Sequence, residues 1–374
     1  MRIAFHARNL IGDLNKKIIE LTFDCAASIA MRHSDHEFFV IIDAYSGKQN
    51  LSSNLTLINP SSEIKTSISK QLWYNYKLPS LLKKNNIDVL VNMDGVCSLR
   101  TKVKQCLFIN GISFKHNSEF FLKNDLRFLK KFTTSSLQKA NTIITTSNVV
   151  KKDILELYKT EESKIDMVRV GMKKNFKPIE EKSKVLIKEK YCEGKEFFLY
   201  TGSLNGINNL ITLLKAFSFF KKRLKSNMQL IIATTSSLQN NSFIKDLETY
   251  KYRNEVKLLE NPADEDLAGI TASAYAFIYP SYFENSGMYV LNAIKCETPV
   301  ITANTAVFKE LFEDAVLSAD PASHEDIANK MIALFNDENG RNLLIEKGKK
   351  LTLKYDWDKT MEQWWQIILK TAKS

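Results

Sequence analysis

The sequence predicts an α/β protein made of two domains, each with a parallel β-sheet covered by helices. Its 374 residues are enough for two domains of ordinary size. Short apolar strands and amphipathic helices alternate along the whole chain. A stretch of mixed charge from Phe176 to about Lys188, with Pro178 in it, interrupts this alternation and predicts a linker. We therefore expect two Rossmann-like domains facing each other across a cleft, over residues 1–178 and 186–354.

The elements of the first half follow from apolar runs bounded by polar turns. The predicted strands are Arg2–Ala7, Phe38–Asp43, Val89–Val91, Cys106–Asn110, Thr142–Thr146 and Val168–Val170. The predicted helices cover about Asn15–Arg32, Leu72–Lys84, Leu126–Gln138 and Val149–Tyr158. Ser147, just before the last of these helices, is a residue type that caps helix N-termini.

The second half repeats the alternation. Its predicted strands are Phe197–Tyr200, Gln229–Ala233, Val256–Leu258, Ala276–Tyr279 and Val300–Thr302. Its predicted helices are Leu210–Leu224, Asp264–Ala272, Met288–Ile294, Ser323–Asn336 and about Asn342–Lys354. The tail after Asp356 has the pattern of an amphipathic helix that carries Trp364 and Trp365 on its apolar face.

The composition is typical of a globular protein with a large core, at 44% apolar and 25% charged residues. No apolar run is long enough to span a bilayer, and the N-terminus lacks the apolar segment of a secretory signal. We therefore expect a cytoplasmic chain. The five cysteines follow no disulfide or metal-binding spacing, which is typical of reduced core thiols.

The net charge of +11 has two interpretations. Short basic runs such as Lys130-Lys131 and Lys221-Lys222-Arg223 are typical of a solvated surface. The same charge would attract the chain to an acidic polymer or, as a peripheral protein, to the anionic inner face of a membrane. Nucleic acid is not an expected partner, because no nucleic-acid-binding motif accompanies the charge.

The most informative segment is AFIYPSYFENSGMYVLNAIKCETPVITAN, which begins at Ala276. A buried strand ends at Pro280, a polar turn with Glu284 follows, and a helix begins near Gly287. In such a strand–loop–helix–strand unit, ligands bind at the carboxyl ends of the strands. The helix N-terminus offers N–H groups to an anion, and the carboxylate beside it can accept hydrogen bonds from sugar hydroxyls.

This segment resembles the donor-site motif of the retaining glycosyltransferases of family 4, whose fold is the two-domain GT-B. The motif has two glutamates, two helical turns apart. The first is Glu284 here, and the second position holds Asn292. Four more segments resemble the family in the same order, namely Asp35–Asp43, Ile143–Tyr158, Phe197–Phe217 and Val300–Pro321. The resemblance implies a GT-B fold in which a C-terminal helix within residues 355–374 crosses back to complete the first domain.

The resemblance also implies where a nucleotide-sugar donor would bind. The donor-binding positions are Gly12, Gly202, Ser203, Asn208, Ser286, Gly287, Met288 and Asn292. The positions expected to serve catalysis are Glu284 and Asn110. No metal or other cofactor is expected, because no Asp-x-Asp motif ends a strand and the family does not generally need one.

Two of these positions replace the cations of the family. An Arg and a Lys normally follow the glycine of the first nucleotide-domain strand and stabilise the departing nucleoside diphosphate. This chain has Ser203 and Asn208 instead. The loss of two charge-assisted hydrogen bonds would weaken phosphate binding by roughly 10²–10⁴-fold. Lysines elsewhere are alternative sources of the missing charge, namely Lys173, Lys174 and Lys295.

The other departures affect both halves. The glycine-rich loop after the first strand is reduced to Gly12 between bulky or polar neighbours, and the family's frequent His-Asp pair is Asn110-Gly111. An Asn-Gly pair at the end of the first domain is Val170-Gly171. At Asn292 an amide replaces the carboxylate expected to accept both ribose hydroxyls.

Three functions are therefore open. The residues of the site favour a glycosyltransferase-like protein of glycan or polysaccharide assembly with impaired or lost nucleotide-sugar transfer, acting as a pseudoenzyme or as the partner of another glycosyltransferase. The family resemblance favours an active retaining glycosyltransferase with a nucleotide-sugar donor and a glycan or lipid-linked acceptor. In the third, the GT-B body only scaffolds an assembly.

Overall fold

The computed structural model describes residues 1–8, 16–43, 52–60, 64, 66–121, 123–172, 174–234, 236–239, 241–284 and 286–374. These residues form two compact units, Met1–Arg169 with Asp358–Ser374, and Val170–Trp357. Each unit has one parallel sheet with helices around it, so the predicted α/β, Rossmann-like fold class is confirmed. The sequence placed the first domain at 1–178 and 355–374, whereas the compact units divide at Arg169 and Asp358.

The first sheet has seven strands among the described residues, in the order β3-β2-β1-β4-β5-β6-β7. They are β1 (Arg2–Ala7), β2 (Glu37–Ile42), β3 (Leu55–Ile58), β4 (Val89–Asn92), β5 (Lys104–Ile109), β6 (Thr142–Thr145) and β7 (Ile165–Met167). The central strands β1, β4 and β5 are apolar and almost entirely buried, as expected for a parallel sheet covered on both faces.

The helices of the first unit are α1 (Lys16–Arg32), α2 (Ser67–Leu72), α3 (Leu78–Lys84), α4 (Ser113–His116), α5 (Lys123–Lys139) and α6 (Asn148–Tyr158). A π-helical turn, Trp73–Lys77, joins α2 to α3, so that helix structure runs unbroken from Ser67 to Lys84. Thr66 starts this stretch, because its side chain and that of Ser69 form a capping box.

Two predicted segments of this region are corrected. The last strand of the first unit is β7, Ile165–Met167, and not Val168–Val170. Among the described residues it pairs with β6, which ends at Thr145, so the register of the ladder ends where Met167 lies opposite Thr145. The predicted linker is largely helical, since α7 (Glu181–Cys192) begins in it. Its mixed charge is that of an exposed helix face.

The second sheet has six strands among the described residues, in the order β10-β9-β8-β11-β12-β13. They are β8 (Phe197–Thr201), β9 (Gln229–Thr234), β10 (Val256–Glu260), β11 (Ala276–Tyr279), β12 (Val300–Ala303) and β13 (Leu317–Ala319). The helices after α7 are α8 (Leu210–Leu224), α9 (Ser242–Glu248), α10 (Asp264–Ser273), α11 (Met288–Lys295), α12 (Ala306–Phe312), α13 (His324–Asn336) and α14 (Glu338–Thr352).

The last helix, α15 (Trp357–Lys373), packs on the first unit, as predicted. Trp364 is 2% exposed and its ring lies 5.2 Å from that of Phe108 in β5. Trp365 stacks on His33 at the end of α1, with ring centroids 4.0 Å apart. The C-terminal segment therefore completes the core of the domain in which the chain began.

Candidate functional site

Three loops meet at the carboxyl edge of the second sheet, and Asn209 holds them together. Its side-chain amide donates to the carbonyl of Pro280 after β11 (3.1 Å) and to that of Pro321 after β13 (2.6 Å). Asn209 itself precedes α8 in a left-handed conformation, with φ of 61°. The sequence analysis missed this role, although the left-handed region is one that Asn adopts more readily than most residues.

Gly202 is the first residue after β8, and the position of the Tyr200 side chain leaves no space for a side chain there. The Tyr200 hydroxyl donates to the carbonyl of Ser203 at 3.0 Å, which brings the phenol against Gly202. A Cβ at Gly202 would lie 2.3 Å from that hydroxyl. The glycine thus allows the Tyr200 side chain to fold over the start of the loop.

Ser203 and Asn208, the two positions at which the resemblance implies cations in the family, belong to one neutral network. The Asn208 amide donates to the Ser203 carbonyl (2.8 Å) and hydroxyl (2.9 Å). The hydroxyl of Ser281, in the loop after β11, lies 3.2 Å from the Asn208 carbonyl oxygen. Asn205 donates to the Ser203 hydroxyl as well, at 3.0 Å. Asn208 is only 5% exposed, and its hydrogen bonds connect the loop after β8 to the loop after β11.

Lys295, one alternative source of positive charge, is partly buried near the end of α11. It lies in the last turn of α11, at the opposite end of that helix from Gly287. Burial and the charge of Lys174 both lower its pKa, so those two lysines share a neighbourhood. Lys173, the third alternative source, lies outside the described residues.

Glu284 is oriented by the loop that precedes α11. Its Oε1 accepts hydrogen bonds from the backbone N–H groups of Ser286 (3.1 Å) and Gly287 (3.3 Å). Its Oε2 accepts one from the Tyr279 hydroxyl at 2.9 Å. The carboxylate therefore accepts hydrogen bonds from the same N–H groups that the sequence predicts would bind a donor phosphate. A bound phosphate at these groups would require Glu284 to turn towards another partner.

Gly287 is fixed by conformation and by space. Its φ is +62°, and a Cβ there would lie 2.2 Å from the ring of Phe312. Met288 is the first residue of α11, so the N-terminal N–H groups of this helix lie beside Glu284. The glycine and the polar residues before it predict this turn from the sequence.

Asn292 lies on the second turn of α11 and is 5% exposed. Its side-chain oxygen is buried and accepts no hydrogen bond from the described residues. The hydroxyls of Thr201, at the end of β8, and Thr302, in β12, are also buried without a hydrogen-bond partner among the described residues. Buried polar atoms of this kind are costly unless a ligand or water pairs with them, so they mark this edge as a binding region.

The remaining predicted positions belong to the first unit. Asn110 follows β5 directly, and its side-chain oxygen is buried without a partner among the described residues. Gly12 lies outside the described residues. A His–Asp pair does exist farther along, where the His116 ring lies 2.7 Å from a carboxylate oxygen of Asp153 on α6. The structure thus brings the second-unit positions together, whereas Asn110 belongs to the separate first unit.

The sequence analysis missed a buried polar cluster at the carboxyl edge of the first sheet. One oxygen of Asp94, just after β4, accepts from the Tyr74 hydroxyl (2.6 Å) and the Arg8 backbone N–H (3.0 Å). Nδ1 of His6 lies 3.4 Å from that oxygen, and its Nε2 accepts from Trp73 Nε1 at 2.9 Å. This pairing fixes His6 as the Nδ1–H tautomer.

Burial sets the protonation of the cluster. It lowers the pKa of His6 to about 3, with a smaller contribution from the Arg8 charge. Burial raises the pKa of Asp94 to about 7, against the opposing hydrogen bonds from Tyr74 and three backbone N–H groups. Arg8 is 1% exposed, packs 4.3 Å over the Trp73 ring, and pairs with Asp43 at 2.6 Å. The sequence signal for this cluster is the presence of polar residues at the ends of β1 and β4.

The described residues contain neither a metal-binding cluster nor a membrane-spanning helix. No group of three or more His, Cys, Asp and Glu side chains there could hold a metal ion. None of the helices in the described part of the chain is long and apolar enough to cross a membrane.

Comparison with known proteins gives matches in the second unit and in the fold. Residues 179–351, which lie in the second unit, match the model of the family described as Glycosyl transferases group 1. The whole chain superimposes on WaaG, a glycosyltransferase involved in lipopolysaccharide biosynthesis, with a TM-score of 0.82 and 17% identity over 98% of this chain and 99% of that one. It also matches Anabaena Alr3699/HepE in complex with UDP and glucose, with a TM-score of 0.76 and 14% identity over 99% and 100% of the two chains.

A curated relative gives the same result. The O-antigen chain mannosyltransferase B of Escherichia coli is 24% identical over 246 residues, which cover 66% of this chain and 65% of the relative. The chain thus spans slightly less than two thirds of that relative. The fold and the family match support a glycosyltransferase of the GT-B fold, in agreement with the resemblance in the sequence. Family 4 is consistent with these matches.

Proposed function

We propose that the chain works in the assembly of a polysaccharide or related glycan as a glycosyltransferase-like protein whose own nucleotide-sugar transfer is impaired or lost. It would then serve as a pseudoenzyme or as the partner subunit of another glycosyltransferase. The roles of similar proteins, in O-antigen and lipopolysaccharide synthesis, support the glycan part of this proposal.

One observation carries the impaired-transfer part, namely the neutral network of Ser203 and Asn208. Transfer leaves negative charge on the departing nucleoside diphosphate, and cations stabilise that charge best. Asn208 is buried and uses both ends of its amide to join loops. A cation could not occupy that position without breaking these hydrogen bonds.

The alternative is an active retaining glycosyltransferase, and Glu284 is the observation that favours it. The carboxylate is held beside the α11 N-terminus by Tyr279 and two backbone N–H groups, so a hallmark of the donor site is retained. Tyr279 remains a donor at physiological pH, because burial and the nearby Glu284 charge raise its pKa. A related fold has been solved with UDP and glucose.

Each alternative implies its own partners. A working donor site would bind a nucleotide sugar and pass the sugar to a glycan or lipid-linked acceptor. A pseudoenzyme would instead bind the partner transferase or hold the glycan. In both cases we place the chain in the cytoplasm, with peripheral contact to the inner membrane face.

Isothermal titration of the full chain with uridine and guanosine diphosphate separates the alternatives. The proposal predicts dissociation constants in the millimolar range for both, and micromolar binding of either would favour the active enzyme. Glu284→Gln, with the exposed Glu265→Gln as its control, then tests the site. If a nucleotide sugar is turned over, Glu284→Gln should lower the rate at least tenfold, about the value of one charged hydrogen bond, while the control keeps it.

A further inference from the structure

The positive charge of this protein is concentrated in one segment. Residues 64–140 contain fourteen Lys and Arg against four Asp and Glu, a difference of ten in a chain whose total is +11. From residue 64 to residue 87 there is no acidic residue. The rest of the chain is therefore nearly neutral, and the charge belongs to one part of the first unit.

The helical stretch from Ser67 to Lys84 also exposes an apolar stripe. Ile68, Leu72 and Tyr76 follow one another at four-residue intervals and are 71%, 49% and 53% exposed. The opposite side of the same stretch is already apolar and buried, with Trp73 and Leu78 in the core against the sheet. The stripe is thus a second apolar face, and the fold of the first unit does not need it.

The stripe and the charges share one surface. Helix α5 packs beside α2, where Lys70 pairs with Asp125 at 3.1 Å, and Phe128 and Phe132 of α5 join the core cluster that contains Trp73. Both helices therefore cover the same face of the sheet and turn their exposed sides outwards together. Arg100 adds a further cation, with its guanidinium 4.4 Å from the Tyr76 ring centroid.

The exposed cations of α5 have no acidic partners within the described part of the chain. Lys123, Arg127, Lys130 and Lys131 are all exposed, and none pairs with a carboxylate of the described residues. The helix has one acidic side chain, Asp125, which is taken by Lys70. A surface of this kind is complementary to an anionic partner. We call Ile68, Leu72, Tyr76, Arg100, Arg127, Lys130 and Lys131 the basic–apolar face.

We propose that the basic–apolar face docks the first unit on the anionic surface of a lipid bilayer. The apolar stripe would lie at the boundary of head groups and acyl chains, with the cations among the phosphates. A soluble polyanion would account for the cations but would leave three exposed apolar side chains without a role. This inference specifies the surface for the peripheral membrane contact proposed above and rests on that part of the proposed function. It does not depend on the donor site, because it concerns helices of the other unit.

Co-sedimentation with phosphatidylcholine vesicles, with and without phosphatidylglycerol, tests the charge. Wild type should bind the anionic vesicles at low salt and release at high salt. Arg127→Gln with Lys130→Gln and Lys131→Gln should weaken binding by about one hundredfold, since each cation near the surface is worth about fivefold. The matched control removes three exposed cations of the second unit, Lys222, Arg223 and Lys225, and should bind nearly as wild type. Equal losses in the two variants would overturn the proposal.

A fluorescent label tests the stripe without disturbing the core. The five native cysteines are free and buried, so a maleimide dye should react with an introduced exposed thiol only. With the dye at Leu72→Cys, anionic vesicles should shift its emission to the blue, as expected for entry into the bilayer. The control is Leu186→Cys, at a position 70% exposed in the second unit, where no shift is expected.

The apolar side chains must also contribute to affinity. Ile68→Ser with Leu72→Ser should lower vesicle binding at least tenfold, whereas Val185→Ser with Leu186→Ser should leave it unchanged. Binding to a soluble polyanion as tight as to vesicles, combined with no loss in the Ile68–Leu72 variant and no shift of the dye at position 72, would show that the partner is an acidic polymer instead.

Discussion

One polar network at the carboxyl edge of the second sheet is neutral and internally paired, whereas the polar cluster at the carboxyl edge of the first sheet is ionisable and buried. In the second sheet, the side chain of Asn208 donates hydrogen bonds to Ser203. In the first sheet, Arg8, His6 and Asp94 lie in contact with one another. A neutral network holds its loops at any ordinary pH. A buried ionisable cluster makes folding depend on protonation, because burial disfavours each charged form.

The largest expected effect concerns the packing of α15, the last helix of the chain, on the first unit. Trp364→Ala should lower the free energy of unfolding by about 3–5 kcal/mol, because it removes a buried indole packed on Phe108. Urea denaturation measures this loss. Gln363→Ala, exposed on the same helix, should change stability by less than about 0.5 kcal/mol. Similar values for both variants would mean that α15 is not part of this core.

The His6–Asp94 pair should produce opposing pH effects. The unfolded state binds a proton on His6 below pH 6.5, but the folded state does so only near pH 3, so His6 lowers stability as the pH falls. The folded state keeps the Asp94 proton up to about pH 7, so Asp94 lowers stability as the pH rises from 3.8. Between these limits the two contributions cancel in the wild type.

Single substitutions should reveal the two halves of this cancellation. Between pH 4.5 and 6, the stability of His6→Gln should fall with rising pH by about 1.4 kcal/mol per unit, and that of Asp94→Asn should rise by about the same amount. Urea denaturation across this range measures both slopes. Slopes of the same sign in the two variants would contradict the neutral pairing of His6 and Asp94.

Gly287→Ala disturbs the second region through space rather than charge. Its positive φ and the Phe312 ring 2.2 Å from the new Cβ should together cost about 2–4 kcal/mol. Adding Phe312→Leu should recover the steric part only. Gly269→Ala is the contrast, because the nearest atom there is the flexible end of Ile187 and the residue is helical. Calorimetric melting of the three variants distinguishes them, and an unchanged melting temperature for Gly287→Ala would refute this account of the turn.

The smallest effect adds charge to the neutral edge. Ser203→Arg, at a half-buried position, should raise nucleoside diphosphate affinity about tenfold in a salt-dependent way. Asn208→Lys should instead destabilise the second unit, because it buries a cation and removes the ties to Ser203 and Ser281. Titration and urea denaturation measure the two outcomes. A stable Asn208→Lys variant with improved affinity would mean that the network is dispensable.

The sequence by itself determined the features that depend on local order. Alternating strands and helices predicted two parallel-sheet domains, and the amphipathic tail predicted the terminal helix. The turn around Gly287 was also predictable, because glycine and polar residues between an apolar strand and a helix specify such a turn within one short segment. Charge, motif and spacing therefore located the loop with Glu284 before any fold was known.

Only the tertiary structure decided which polar groups meet. His6 and Asp94 are distant in sequence, and the parallel register of β1 with β4, which sets His6 opposite Asn92, brings them together. The burial of Asn208 and the earlier position of β7 depend likewise on partners elsewhere in the chain. Pairing between strands is a long-range choice made by packing the whole sheet, and no local pattern of residues encodes it.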